Sequence, residues 1–185
     1  MADQVRRIGP LLVAIGVAIA GAAAPLGAVG GEQASDVDVK AAFLFNFAKF
    51  TNWPDLAGAA PIQLCVVGDE PIGSALAQLT RGQTIDQHPV VVRTGDVASP
   101  VPCHLLFLSS RVHDVAAVID LRRALPILTV GDGDRFTAAG GMIQLFVESS
   151  RMRFAINVDA VQRAHLKISS RVLGLAKIVK DDHAQ

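Results

Sequence analysis

The side chains that could carry chemistry in this sequence are scattered, and none has the spacing that a catalytic or metal site requires. The five histidines include no HExxH motif and no pair at positions i and i+4, so a zinc site would have to be assembled from distant segments. No nucleophile is paired with a base, and no glycine-rich phosphate loop of the GxGxxG type is present. We therefore predict no catalytic residue, no metal and no cofactor, and we expect the protein not to be an enzyme.

Two loops that follow predicted strands carry polar residues. GDGDRF contains Asp132 and Asp134 and resembles the start of a calcium-binding loop, but the later acidic ligands are missing, which favours an ordinary turn. Ser109, Ser110 and Arg111 follow another predicted strand, at a position where open α/β sheets tend to bind ligands. A helix N-cap beside a solvated arginine is the favoured interpretation of this second loop.

One stretch, from residue 142 to residue 157, allows a pairing, a register and a surface to be predicted together. If Ser149 and Ser150 form a two-residue turn, the flanking strands pair so that one face of the ribbon is apolar. The pairs on that face are Val147 with Met152, Leu145 with Phe154, and Ile143 with Ile156. The register is better defined than the turn type, because Ser-Ser lacks the positive-φ preference of Asn-Gly.

The other face of this hairpin carries charged side chains beside an exposed aromatic one. The pairs there are Glu148 with Arg151, Phe146 with Arg153, and Gln144 with Ala155. Two interpretations are open: an exposed cross-strand ion pair worth ~0.2 to 1 kcal/mol, or a patch that recognises a partner. Arg171, on the last predicted helix, is a further candidate for partner binding.

The elements that position these residues follow from hydrophobic periodicity and turn signals. Helices are predicted from residue 36 or 38 to about 51, and over 72–79, 114–125, 158–164 and 169 or 170 to 180. Strands are predicted over 62–68, 88–93, 104–108 and 126–130, before the hairpin. Two parallel strand-to-helix units followed by the hairpin predict an α/β fold: a mixed, largely parallel sheet, flanked by helices, with a C-terminal antiparallel hairpin.

The first predicted helix has a wide apolar arc that includes Phe43 and Phe47, which indicates docking on a core. Phe45 falls outside this arc. It is either half-buried by a neighbouring element or available to another protein, and half-burial is favoured. We keep Phe45 among the candidates for partner binding.

The first thirty residues differ in kind from the rest. Arg6 and Arg7 precede an apolar run and a tract of small residues, which predicts a secretory signal peptide over residues 1–30, cleaved between 24 and 30. A lasting membrane anchor is the less favoured alternative, because the run is shorter than the ~20 residues of a span. We expect an exported protein with a single domain over residues 31–180 and a disordered tail over 181–185.

Charge argues against a nucleic-acid partner. Removing residues 1–30 takes out Arg6, Arg7 and Asp3, and the remaining chain has 15 basic and 16 acidic side chains, from 17 of each in the whole sequence. A nucleic-acid-binding protein needs a clear excess of basic residues to neutralise phosphates. We therefore expect no nucleic acid among the partners.

Two cysteines, Cys65 and Cys103, occur in a chain that is predicted to reach an oxidising compartment. A disulfide between them is favoured, and two buried free thiols are the alternative. A cross-link over 38 positions would stabilise the fold by roughly 4 kcal/mol in the chain-entropy model.

Three blocks of the sequence resemble the YfiR family of periplasmic regulators: KAAFLFNFAKFTNWP, GGMIQLFVESSRMRFAIN and LKISSRVLGLAKIV. They occur in the family's order and span roughly residues 39 to 179. The resemblance implies a non-enzymatic repressor that acts from the periplasm on an inner-membrane diguanylate cyclase, binding its periplasmic domain and keeping cyclic-di-GMP and biofilm formation low. It also implies an outer-membrane lipoprotein that sequesters the repressor, and a homodimer.

The resemblance also marks individual positions. Cys65 and Cys103 match a cysteine pair of the family, whereas a second pair found in some members is absent, which makes redox sensing less expected. The other matching positions are Phe43, Phe47, Trp53, Glu148, Arg153, Phe154, Asn157, Ser169, Ser170 and Leu173.

A periplasmic small-molecule-binding protein is the alternative function, with its ligand at the strand ends near residues 109–111 and 132–135. A buried apolar pocket with converging polar groups would favour this alternative. An exposed apolar patch rimmed by arginine and glutamate would favour the repressor. An exported hydrolase comes third, because no nucleophile stands with a base.

Overall fold

The computed structural model describes residues 35–54, 56, 58–95 and 103–181, so the predicted signal peptide lies outside the described residues. In this part of the chain the helices are α1 (Asp36–Lys49), α2 (Glu70–Leu79), α3 (Val115–Asp120), α4 (Val158–Arg163) and α5 (Ser170–Leu173). The strands are β1 (Thr51–Asn52), β2 (Ile62–Val67), β3 (Thr84–Ile85), β4 (His88–Gly95), β5 (Leu105–Leu108), β6 (Leu128–Gly131), β7 (Ile143–Glu148), β8 (Arg151–Asn157), β9 (Lys167–Ile168) and β10 (Lys177–Val179).

One mixed sheet of eight strands organises the domain, in the order β10-β8-β7-β6-β5-β2-β4-β3. β7 pairs antiparallel with β8, and β3 pairs antiparallel with β4, whereas every other neighbouring pair in this order is parallel. β1 and β9 form a separate antiparallel pair. The predicted fold class, a mixed and largely parallel sheet with a C-terminal antiparallel hairpin, is confirmed.

Two clusters of buried side chains lie on opposite faces of the sheet, because successive residues of a strand point to opposite sides. Leu64 and Val66 of β2 belong to the larger cluster, together with side chains of α1, α2 and α4. Cys65 and Val67 belong to the smaller cluster, which α3 and Phe136 complete. The central strands β2, β5 and β6 are thus buried on both faces.

Short polar side chains begin α1 and α4. The Ser35 hydroxyl accepts a hydrogen bond from the Asp38 backbone N–H at the start of α1 (3.2 Å). The Asn157 side chain accepts one from the Ala160 backbone N–H at the start of α4 (3.0 Å). On α1, Phe45 is half-buried and packs against the larger cluster, in agreement with the favoured interpretation of this residue.

A disulfide links the two central strands β2 and β5. It joins Cys65 in β2 to Cys103, two residues before β5, with their Cα atoms 5.9 Å apart. The bond closes a loop of 38 positions, so it restricts the unfolded chain strongly. The predicted pairing of the two cysteines is therefore present in the fold.

His104, which follows the disulfide-bonded Cys103, adds hydrogen bonds next to the link between β2 and β5. Its Nδ1 accepts the backbone N–H of Gln63 (3.0 Å), and its carbonyl oxygen accepts the indole N–H of Trp53 (3.2 Å). Burial lowers the pKa of His104, and the nearby charge of His88 lowers it further. The imidazole is therefore held neutral, with Nδ1 free to act as the acceptor.

The C-terminal helix is the main error of prediction. The helix predicted up to Lys180 ends at Leu173, and β10 follows it as an edge strand parallel to β8. Leu175 is 75% exposed and Ile178 is 46% exposed, so these residues do not close the core as a helix face would. The cause is tertiary, because ladder hydrogen bonds to β8 stabilise an extended chain that β-branched residues favour.

The helix predicted over 114–125 is also shorter than expected, since α3 ends at Asp120. Leu121 is 78% exposed and Leu125 is 47% exposed. The chain turns here instead, and the Leu125 backbone N–H donates to the Arg122 carbonyl oxygen (2.9 Å). The turn brings the chain round to β6.

Asp181 is the first residue of the predicted disordered tail. It donates its backbone N–H to the Asp159 carboxylate (3.0 Å), and its own carboxylate accepts the Asn157 amide N–H (2.7 Å). Residues 182–185, to which the rest of that prediction applies, lie outside the described part of the chain.

Candidate partner-binding surface

The turn between β7 and β8 consists of Ser149 and Ser150, whose φ angles are both positive, at 50° and 59°. Two positive φ angles are typical of the type I′ turn, whose twist matches that of paired strands. The left-handed region costs a non-glycine residue roughly 1 kcal/mol. The pairing of the strands must therefore impose the turn, since the Ser-Ser sequence does not favour it.

The register of the hairpin is the predicted one at all six pairs. They are Ile143 with Ile156, Gln144 with Ala155, Leu145 with Phe154, Phe146 with Arg153, Val147 with Met152, and Glu148 with Arg151. Because side chains alternate along a strand, this register fixes which residues share a face. The prediction of two chemically different faces is confirmed.

The apolar face of the hairpin packs under α1. Phe154 meets Phe43 and Phe47 edge to face, with ring centroids 5.6 and 5.0 Å apart. Each such pair contributes about 0.5–1.5 kcal/mol beyond the area that it buries. Val147, next to the turn, is 64% exposed, so the buried part of this face ends before the tip of the hairpin. Helix α1 therefore fixes how the hairpin is presented.

The opposite side, which we call the open face, comprises Phe146, Glu148, Arg151, Arg153 and Lys177. The four charged residues are exposed. Phe146 is half-buried, so the expectation of an exposed aromatic requires correction. In the middle of a strand its ring is flanked by side chains of the adjacent strands, with Arg153 directly opposite. The ring belongs to neither buried cluster.

Among the described residues, no charged side chain of the open face forms an ion pair. Glu148 and Arg151 are cross-strand neighbours, yet no guanidinium nitrogen of Arg151 lies within 4.0 Å of a carboxylate oxygen of Glu148. Of the two interpretations of this face, the exposed ion pair is therefore absent from the structure.

Lys177 is the residue of this face that sequence reasoning missed, because it was assigned to a helix. It pairs with Ala155, and Arg153 lies two residues before Ala155 in β8, so both side chains point to the same side of the sheet. The two adjacent β-branched residues Ile178 and Val179 are the signal that could have identified the strand.

Two other candidates do not join the open face. Phe45 lies on α1 and Arg171 on α5, and both helices contribute side chains to the larger cluster on the other side of the sheet. Arg171 is exposed and follows the N-cap Ser169, whose hydroxyl accepts the Arg171 backbone N–H (3.3 Å). The structure thus brings Arg151 and Arg153 together and leaves Phe45 and Arg171 apart from them.

The polar residues at the carboxyl ends of the parallel strands pair with one another. The Asp132 carboxylate accepts the Ser110 backbone N–H (2.7 Å) and the Lys40 ammonium (2.5 Å). The hydroxyl of Ser109 accepts the Arg111 backbone N–H (3.3 Å), so Ser109 forms a local turn and not the predicted helix N-cap. These contacts give the polar residues of the two loops a structural role within the fold.

A crevice of about 450 Å³ lies beside these loops, between the ends of β2 and β4. It is open to solvent, and Asp69, Glu70, Thr94 and Arg111 line it. Arg111 is within 3.5 Å of the Asp69 carboxylate. A buried apolar pocket with converging polar groups was the feature expected of a small-molecule-binding protein, whereas this crevice is open to solvent.

Asp181 fixes the end of β10 next to the open face. Its carboxylate accepts hydrogen bonds from Asn157 (2.7 Å) and from Arg163. The hydrogen bond from Asn157 is the largest cause that holds the pKa of Asp181 below its usual value, and the charge of Arg163 acts in the same direction. The ionised carboxylate therefore stabilises the position of β10.

Two further classes of site were sought in the described residues. No cluster of three or more histidine, cysteine, aspartate or glutamate side chains there could hold a metal ion. Within the same residues, every helix is too short or too polar to cross a membrane.

The positions that carry the resemblance to a family divide into two groups. Most of them build the fold, since Phe43, Phe47, Trp53 and Phe154 pack in or against the larger cluster, and Asn157 and Ser169 begin helices. Glu148 and Arg153 are different, because both are exposed on the open face.

Comparison with family models agrees with that resemblance. A family model described as YfiR/HmsC-like matches residues 37–177, about three quarters of the sequence. The match begins in α1 and ends at the first residue of β10. It therefore includes the disulfide, the central strands and the whole hairpin.

Proposed function

The chain belongs to the YfiR/HmsC-like family, and from that membership we propose that it represses an inner-membrane diguanylate cyclase from the periplasm. The family is periplasmic and regulatory rather than catalytic. In this proposal the protein binds the periplasmic domain of the cyclase and keeps intracellular cyclic-di-GMP, and hence biofilm formation, low.

The observation that carries the proposal is the open face of the hairpin. Glu148, Arg151 and Arg153 are exposed on a strand pair that six cross-strand pairs hold in one register. Their side chains have no ion-pair partner among the described residues. A rigid strand pair presents these charges to a partner with little further loss of backbone entropy, and complementary charges on that partner supply specificity. Phe146 adds apolar area in their midst, as is usual in protein interfaces.

Repression by binding requires different affinities for the active and inactive arrangements of the cyclase. The catalytic domain of the cyclase lies across the membrane, so the repressor acts through the periplasmic domain and needs no catalytic residue of its own. Sequestration by an outer-membrane lipoprotein would relieve repression by removing the free repressor. That partner and the homodimer stay predictions from the family resemblance.

The first experiment measures intracellular cyclic-di-GMP in the native host with and without this gene. We expect cyclic-di-GMP to rise on deletion and to return to the original level with a complete copy of the gene, but not with a copy that lacks residues 1–30. An unchanged level on deletion would remove the repressor function and move small-molecule binding to first place.

A second experiment tests the surface. Arg153→Glu reverses a charge at the centre of the open face, and we expect it to fold normally and to raise cyclic-di-GMP towards the deletion level, because truncating or reversing a central interface charge costs about 2 kcal/mol or more of binding. Arg81→Glu is the matched control, since Arg81 is exposed after α2, at the end of the sheet away from β10. Full repression by Arg153→Glu would show that partners bind elsewhere.

A further inference from the structure

The large sheet ends in a strand whose outer edge is unpaired among the described residues. β10 is the last strand in the order of the sheet and pairs with β8 alone. Backbone N–H and C=O groups along such an edge can accept a further strand, which is a common mode of peptide recognition. This edge adjoins the open face, because Lys177 belongs to both.

The two sides of this edge differ, because Lys177 pairs with Ala155 on the side of the open face, whereas Ile178 pairs with Ile156 on the side of the larger cluster. Lys177 and Lys180 are exposed, Ile178 is 46% exposed, and Val179 is half-buried. Neither lysine forms an ion pair among the described residues. Arg153 and Arg151 follow Lys177 along the same face of the sheet. The edge and the open face therefore make one continuous basic surface, with Glu148 as its one acidic member.

The charge on the open-face side of this edge indicates what can occupy it. Lys177, Arg153 and Arg151 are basic, against one acidic residue, Glu148. An extended segment with acidic residues complements this charge, because its carboxylates can pair with Lys177 and Arg153.

The edge is also held in place before any partner arrives. The Asp181 backbone N–H donates to Asp159 (3.0 Å), and the Asp181 carboxylate accepts from Asn157 (2.7 Å) and Arg163. These contacts fasten the end of β10 to the start of α4. A strand that is already ordered loses little conformational entropy when another strand pairs with it.

We propose that β10 is a docking edge for an extended segment of the protein partner in which acidic residues alternate with apolar ones. The segment pairs with the backbone of β10, its apolar side chains cover Ile178 on one side of the sheet, and its carboxylates meet Lys177 and Arg153 on the other. The inference rests on the proposed function, because it names the part of a protein partner that meets this end of the sheet.

The test measures binding of synthetic peptides to the protein produced from its complete coding sequence. The first peptide alternates valine with glutamate and carries a fluorescent label. The second has the same sequence with N-methyl groups on alternate amides, which prevents pairing along one edge, and the third has lysine in place of glutamate. Amide hydrogen exchange of residues 177–180 is followed at the same time.

We expect the acidic peptide to bind and to slow amide exchange in β10. The N-methylated peptide should bind at least about tenfold more weakly, because it loses backbone hydrogen bonds, and the lysine peptide should not bind. Lys177→Glu should weaken binding of the acidic peptide at least about tenfold. Lys49→Glu makes the same change of charge at an exposed residue elsewhere and should leave binding unaltered.

Equal affinity for the acidic peptide and its N-methylated form would overturn the proposal, and this comparison does not depend on any variant folding. Slower exchange in β10 at higher protein concentration without peptide would identify a second copy as the occupant and would also overturn it. Neither result changes the cyclic-di-GMP measurement in cells. Failure of the docking edge is thus distinguishable from failure of the repressor function.

Discussion

The central strands and the hairpin belong to one sheet but differ in how many of their faces are buried. β5 and β6 are buried along their whole length, with the larger cluster on one face and the smaller cluster on the other. β7 and β8 are buried on the face that meets α1, while the other face has exposed charges towards the turn. The same sheet therefore serves as a core at its centre and as a surface at one end.

The two regions also differ in what holds them. The centre has a disulfide between Cys65 and Cys103 and hydrogen bonds around His104. The hairpin end has three aromatic rings in contact on one side, with Phe154 edge to face against the other two, and hydrogen bonds to Asp181 that hold β10 in place. Stability is thus concentrated at the centre, and unpaired charge is concentrated at the end, where a partner can reach it.

The largest expected contrast compares two phenylalanines. Phe107 in β5 is fully buried (0% exposed), and Phe107→Ala should lower the free energy of unfolding by about 3–5 kcal/mol. Phe146→Ala on the open face should cost no more than about 1 kcal/mol, because that ring belongs to neither buried cluster. Urea unfolding monitored by circular dichroism measures both values.

That contrast fails if the two substitutions destabilise the protein equally, since Phe146 would then be part of a core. Phe146→Ala should also weaken repression in cells, whereas Phe107→Ala should affect repression only through the amount of folded protein. Measuring cyclic-di-GMP at matched levels of folded repressor separates the two effects.

Removal of the disulfide should have the next largest effect. Cys65→Ser with Cys103→Ser opens a loop of 38 positions, and we expect a loss of about 2–4 kcal/mol, which thermal unfolding under oxidising conditions would report. Reduced wild-type protein is the control, because it lacks the bond but keeps the native side chains. An unchanged melting temperature would mean that the disulfide does not stabilise the centre of the sheet. Repression well below the melting temperature should survive, because the open face lies apart from the bond.

Replacing Asp181, which holds the end of β10 in place, should change the free energy of unfolding less than removal of the disulfide does, and this change should depend on pH. Asp181→Asn should lower the free energy of unfolding at pH 7 by about 1 kcal/mol, because a neutral amide loses the charged hydrogen bonds to Asn157 and Arg163. The pKa of Asp181 is lowered in the fold, so its contribution is full above about pH 4 and is lost as the pH falls through the lowered value.

Denaturant titrations of Asp181→Asn and the wild type at pH 7 and near pH 2 test this sign. The difference in stability between the two proteins should shrink in strong acid, where the wild-type carboxyl is protonated. A difference that stays constant across this range would show that the ionised form of Asp181 is not what stabilises β10.

How far the sequence predicts the fold depends on whether the decisive contacts are local. The hairpin register follows from alternation alone, because a slip of one residue would expose Leu145 and Phe154 and bury Arg153. The disulfide follows from the presence of two cysteines in a chain with a predicted export signal. Both predictions rest on patterns that a single strand or a pair of residues carries.

The wrong predictions concern segments whose structure depends on contacts with residues that are distant in the sequence. The segment 174–180 has apolar residues that suit a helix face as well as an edge strand, and only the free edge of β8 selects the strand. The ion pair between Asp132 and Lys40 links residues that are 92 positions apart, so no local sequence pattern predicts it. For the candidate site, Glu148, Arg151 and Arg153 were predicted together, whereas Lys177 was missed with its strand.

Substitutions in the turn of the hairpin should change the free energy of unfolding least. Ser149 and Ser150 both have positive φ, so Ser149→Asn with Ser150→Gly should supply the residues that a type I′ turn prefers and raise the free energy of unfolding by about 0.5–1 kcal/mol. Gln87→Gly, at another exposed non-glycine residue with positive φ (71°), is the control for removing strain outside the hairpin.

The turn variant distinguishes rigidity from charge at the surface that we assign to the partner. If the open face acts through its fixed register, Ser149→Asn with Ser150→Gly should preserve repression, and slower amide exchange in β7 and β8 should accompany the gain in stability. A loss of repression with an intact fold would mean that the serines themselves contact the partner, which would extend the binding surface from the open face to the tip of the hairpin.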